Sequence, residues 1–93
     1  MTKRRKLTDR EFYRAYGLRL RKLRDKLNLT EAEAASVHGV QLRTYRRWEA
    51  GGTPRTRASV RGTDRVAQKY GISFDWLLAG NGPMFEAERV RPL

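Results

Sequence analysis

At 93 residues, 39% of them hydrophobic, the chain holds enough apolar side chain for one modest core but not for a deep catalytic cavity. Lys and Arg number 21 against 10 acidic residues, a formal net charge of +11, which points to a polyanionic partner, nucleic acid before an anionic membrane. The absence of cysteine excludes disulfides and thiolate metal sites, no apolar run approaches the roughly 20 residues of a spanning helix, and the single His38 lacks a partner at ligand or triad spacing, so no enzyme activity, cofactor or metal is expected.

The chain opens on residues 1–7, where Lys3, Arg4, Arg5 and Lys6 form an unbroken basic run. Such a run reads as a disordered, solvated arm, or as an arm that grips a DNA backbone or minor groove. Thr8-Asp9-Arg10-Glu11 has the form of a capping box, and Phe12, Ala15, Tyr16, Leu20, Leu23 and Leu27 follow at three- and four-residue spacing, one apolar stripe on a helix reaching about Lys26. Gly17 interrupts that helix at a cost of roughly 1 kcal/mol relative to Ala; it is either tolerated or it admits a close neighbour. Arg14, Arg19, Arg21 and Lys22 fall mostly on the other faces, solvated, with one or two near phosphate.

Asn28 ends the first helix, and Thr30 with Glu33 makes a second capping box for a short helix from Glu31 to His38. Its Ala32, Ala34 and Ala35 suit close helix packing, and His38, where a core-facing apolar residue is expected, reads as a structural, partly buried histidine. Gly39 supplies a left-handed turn residue and Val40 plugs the corner. A third helix follows from about Gln41 to Ala50, with Tyr45 and Trp48 facing inward, Leu42 at the margin, and Gln41, Arg43, Arg46 and Arg47 on the outer face or its edges. Two short helices joined by a tight turn, the second rich in arginine, are what laying one helix in the DNA major groove requires.

Gly51-Gly52-Thr53-Pro54 breaks the pattern, and a loop to about Ser59 carries Arg55 and Arg57, both candidate phosphate contacts. A fourth helix is predicted from about Ser59 to Tyr70, burying Val60, Val66, Ala67 and Tyr70, with Gly62 near its start. Gly71 ends it. Ser73 caps a fifth helix, Phe74 to Ala79, whose Phe74, Trp76, Leu77 and Leu78 complete the core. Gly80-Asn81-Gly82-Pro83 stops that helix and leaves Met84 and Phe85 as apolar residues on a polar tail.

Taken together, Gly17-Leu18-Arg19-Leu20-Arg21-Lys22-Leu23-Arg24, Leu29-Thr30, Gly39-Val40, Arg47-Trp48-Glu49-Ala50-Gly51 and Tyr70-Gly71-Ile72-Ser73-Phe74-Asp75-Trp76-Leu77-Leu78 resemble, in order and spacing, the lambda-repressor-like, Cro/C1-type (Xre family) helix-turn-helix domain. The resemblance covers about residues 16–85, and the run from Trp76 to Phe85 is similar to phage-type repressors. It implies an all-α, compact five-helix domain over residues 8–85, between the arm and a tail at 86–93. It also implies a structural ion pair between Arg24 and Glu49, base-edge contacts from Gln41, Leu42, Arg43 and Arg47, and backbone contacts from Thr44 and Arg46, with Arg55, Arg57 and Arg19 added to the backbone set. Glu31 departs from the family's usual Gln and would repel phosphate unless it turns away or pairs with Arg43. Ala34 and His38 replace larger apolar residues, a loss of volume that Tyr45 and Trp48 compensate. The stretch from Gly51 to Tyr70 is a few residues longer than usual, and the first helix starts about two turns early.

The function implied is that of a double-stranded DNA-binding transcriptional regulator, a repressor acting as a homodimer on an inverted repeat, with no membrane association. The dimer forms in solution or only on DNA, with the fifth helix and tail as the expected contact. The setting implied is the cytoplasm of a bacterium, the gene being bacterial or phage-encoded. The alternative is an antitoxin or bridging-type adaptor whose Met84, Phe85 and Val90 dock a protein partner.

Overall fold

The computed structural model describes residues 7–89, so the basic run at 3–6 and Val90 lie outside the described residues. Among the described residues six helices follow one another in chain order: α1 (Asp9–Lys26), α2 (Glu31–His38), α3 (Leu42–Glu49), α4 (Thr56–Tyr70), α5 (Phe74–Ala79) and the short α6 (Glu86–Arg89). The all-α architecture is the one expected, with a sixth helix added at the start of the tail.

Both capping boxes form. The Thr8 hydroxyl accepts from the Glu11 N–H at 3.2 Å while the Thr8 N–H donates to the Glu11 carboxylate at 3.1 Å. At α2 the same reciprocal pair joins Thr30 and Glu33 at 3.1 and 2.9 Å. Each satisfies backbone donors that a helix start leaves open, an effect of about 1 kcal/mol per cap. Because the Glu33 carboxylate accepts from the Thr30 N–H, with the Thr30 hydroxyl assisting, its pKa lies below the ordinary value. At the opposite ends the chain leaves α1 through Asn28 at φ 57° and α2 through Gly39 at φ 74°, both left-handed, which sets the sharp turn into α3.

The core is built where α1, α2, α3, α4 and α5 converge: Tyr16, Leu20 and Leu23, then Ala34 and Ala35, Tyr45 and Trp48, Val66, Ile72, and Trp76 with Leu77. Fully burying side chains of this size contributes about 1.5–3 kcal/mol each. Tyr45 and Trp48 are each only 1% exposed, and the buried His38 ring of α2 packs beside both, while the other buried residues of α2, Ala34 and Ala35, are small. Gly17 is a close-approach residue: a Cβ there would stand 2.5 Å from the Trp48 carbonyl oxygen and 2.7 Å from that of Glu49. The end of α3 therefore lies directly on the backbone of α1.

Three local expectations are corrected. Helix α4 begins at Thr56 rather than Ser59, so Arg57 is helical and Arg55 is its cap residue. Ser59 is buried inside the first turns, with its hydroxyl donating back to the Thr56 carbonyl at 3.0 Å. Val60 is 37% exposed instead of buried, because the inward face of α4 is carried by Ser59, Gly62, Thr63 and Val66. Met84 and Phe85 pack against their own core instead of standing on a polar tail. Phe85 pairs with Ile72 in an antiparallel backbone bridge, flanked by Ser73 N–H to Met84 O at 2.8 Å and Glu86 N–H to Gly71 O at 2.8 Å. These two side chains are thus half-buried against their own domain.

Candidate nucleic-acid interface

Helix α3 is only eight residues long, too short to persist alone in water, so its position is set by what holds its inner face. Tyr45 and Trp48 anchor it in the core, and the Tyr45 hydroxyl donates to the Leu20 carbonyl at 3.5 Å. Burial, aided by the facing Glu49 carboxylate, raises the Tyr45 pKa, keeping the phenol neutral.

A second anchor sits at the C-terminal end. Arg24 of α1 grips Glu49 in a fork, Nε to Oε2 at 2.8 Å and Nη2 to Oε1 at 3.3 Å, with side chains 19% and 10% exposed. A second N–H of Arg24 reaches the Leu29 carbonyl at 3.4 Å, and the Glu49 bond raises the Arg24 pKa. An acidic residue at a helix C-terminus opposes the helix dipole; the guanidinium neutralises it there. The fork fixes the angle of α3 against α1 more than it adds net stability, since desolvating both charges offsets much of their attraction.

What α3 presents outward follows from that pinning. Gln41, Arg43, Arg46 and Arg47 are exposed, while Leu42 and Thr44 are half-buried at the edges. Gln41 is the N-terminal cap residue, yet its side chain makes no capping bond, so its amide is available to an outside partner. Thr44 and Arg47 line an open groove of about 250 Å³ with Arg55 and Ala58 of the next element. Arg57 is exposed in the first turn of α4. Among the described residues no acidic side chain pairs with Arg43, Arg47, Arg55 or Arg57. Four cations held outward in this way can meet several phosphates, and arginine also matches the paired acceptors of guanine.

Two expected roles change. Arg19 does not stand ready for phosphate: its Nε and Nη2 each donate at 3.0 Å to the carbonyls of Leu77 and Leu78, tying α1 to the end of α5. Partial burial there lowers its pKa. Glu31 neither turns away nor meets Arg43; it pairs with Arg46 at 3.5 Å, with both groups substantially exposed. The pair partly offsets the charge of Arg46.

Two arginines that the sequence reading passed over belong to the same face. Arg65 of α4 donates to the His38 carbonyl at 3.1 Å and lies over Gly39, where a Cβ would collide with its guanidinium. Gly39 thus meets two demands, the left-handed φ and an open path for Arg65. Arg61 lies one turn before Arg65. Their spacing from Arg57, four residues and then eight, was the available signal.

His38 itself is buried to 3% exposure between α2, α3 and α4, with its ring 5.5 Å from that of Tyr45 and edge-on to Trp48 at 6.1 Å. Its Nδ1 finds no hydrogen-bond partner, and desolvation pushes its pKa down to about 4. It is neutral core, more deeply buried than expected. Among the described residues no cluster of potential ligands could hold a metal ion, and no helix is long and apolar enough to cross a membrane.

The helix-turn-helix family model matches residues 20–77, from the middle of α1 through α5, the part of the chain that surrounds and positions α3. No curated protein and no solved structure gives a significant match. The match covers more than half of the 93 residues and takes in the second half of α1, the capped helix α2, the Gly39 turn, α3 and the Arg24–Glu49 fork: the chain belongs to the Cro/C1-type, Xre-like helix-turn-helix family of DNA-binding regulators.

Proposed function

We propose that the protein is a transcriptional repressor that reads an inverted-repeat operator as a homodimer, each copy laying α3 in the major groove. Gln41, Leu42, Arg43 and Arg47 are the base readers, with arginine forking onto the O6 and N7 of guanine and leucine making apolar contact with a thymine methyl. Thr44, Arg46, Arg55 and Arg57 hold the backbone, and Arg19 is withdrawn from that set. The half-sites lie about 34 Å apart, one helical turn, so that two copies related by a twofold axis address the same face of the duplex. Repression follows from occupancy, by exclusion of polymerase, in the cytoplasm of a bacterial host.

The observation that carries this reading is the division of α3 itself. Its two large rings are sealed in the core while its arginines face outward, and Arg43 and Arg47 have no acidic partner among the described residues. Selection from random duplex DNA, at low and at high salt, tests it. An enriched palindromic motif that persists at high salt is expected. Enrichment of no motif, with binding that fades steeply as salt rises, marks generic charge attraction and contradicts the reading.

A further inference from the structure

Arg57, Arg61 and Arg65 recur at four-residue spacing and share one face of α4. Together with Arg55 they line an open groove of about 260 Å³ whose opposite wall is the helix-turn-helix turn, Gly39 and Val40. No acidic side chain lines it. Asp64, which lies between Arg61 and Arg65 in sequence, instead accepts from the Gln68 amide at 3.0 Å. Helix α4 also starts without an acidic residue in its first turn and without a side-chain cap, so its positive dipole end adds to the same field.

Four guanidinium groups around one groove repel each other unless an anion sits among them. The groove is not isolated, because Arg55 and Ala58 also line the groove beside Thr44 and Arg47. The two form one basic track that leads from the outer face of α3 to the middle of α4. Arg65 has a distinct place in it, since its bond to the His38 carbonyl fixes the α4 side of the groove to the turn. Arg61 is exposed, with no acidic partner among the described residues.

We propose that the groove between the turn and α4 is a further phosphate site, through which a DNA strand continues past α3, with Arg61 as its ligand and Arg65 as the residue positioning its wall. The site rests on the DNA-binding reading and lengthens the gripped backbone beyond Arg55 and Arg57.

The test is the salt dependence of binding to a mixed-sequence duplex for the wild type, Arg61→Ala, and Lys26→Ala, which removes the same charge from an exposed position at the end of α1. A lost phosphate contact lowers the slope of log affinity against log salt by about 0.9, roughly an eightfold loss near 0.1 M salt, equally on any sequence. Arg61→Ala is expected to show that drop and Lys26→Ala to keep the wild-type slope. A wild-type slope for Arg61→Ala overturns the site while leaving the DNA reading intact, and is also the outcome if the groove serves a free phosphate compound. Equal drops in both variants reduce the effect to net charge and overturn it too. Failure of the wild type to bind any duplex overturns both the site and the reading beneath it.

Discussion

The arginines of α1 and those of α3 are chemically identical and do opposite work. Arg19 and Arg24 turn inward, one onto the carbonyls that end α5 and the other onto the carboxylate that ends α3. Arg43 and Arg47 turn outward and meet no acidic group among the described residues. Arg46, paired at 3.5 Å with the exposed Glu31, stands between the two sets. What separates them is the acceptor. A helix C-terminus or a nearly buried carboxylate, short of water, holds a guanidinium firmly, whereas a solvated carboxylate holds it weakly. On this view the inward arginines set where α3 lies, and the outward ones set what it reads.

The comparison is broken most severely from the inside. Glu49→Ala strips Arg24 of its fork and leaves a half-buried charge with one long bond to the Leu29 carbonyl and the exposed Asp25 carboxylate 3.9 Å away. A loss of about 3–5 kcal/mol is expected from such a half-broken pair, measurable by urea unfolding; an unchanged midpoint would mean that the fork is not what holds α3.

Acid should act next in size. The folded-state pKa of His38, about 4, lies below the ordinary 6.5, so the folded protein binds fewer protons than the unfolded chain between those values. Stability is then full above about pH 6.5 and is lost as pH falls toward 4, by about 3 kcal/mol in all. Unfolding curves taken across that range should show the decline, and His38→Leu should flatten it. An equally steep decline in the variant would assign the acid sensitivity to other groups.

Gly17→Ala tests the close approach directly. The new Cβ must push the end of α3 off α1, at about 1–3 kcal/mol, against the roughly 1 kcal/mol gain that Ala brings to an ordinary helix position. A rise in melting temperature would show that the two helices have room to spare.

Much of this was readable from the residues, for reasons that can be named. Caps are local: Thr8 with Glu11 and Thr30 with Glu33 need only three-residue spacing, and Gly39 needs only its turn. The start of α4 was not readable, because Ser59 has the chemistry of a helix cap but spends its hydroxyl on Thr56 within the helix. Val60 misled for the related reason that the core-facing side of α4 is made of small and polar residues. There Gly62 leaves room for the His38 ring, whose Nδ1 would lie 3.0 Å from a Cβ at that position, and Thr63 shares a hydrogen bond with the Tyr16 hydroxyl at 3.2 Å. The role of Arg19 depends on backbone carbonyls 58 and 59 residues away, which no local pattern reveals. The choice of Arg46 over Arg43 as the partner of Glu31 is settled by how α3 is rotated against α2.

The most direct test of the outward half is Arg43→Ala, assayed for affinity on a selected operator and on a scrambled duplex of the same length. A base reader loses about 1–3 kcal/mol, roughly five- to 150-fold, on the operator and little on the scrambled duplex, with stability unchanged. Equal loss on both duplexes would contradict the assignment and make Arg43 one more backbone cation.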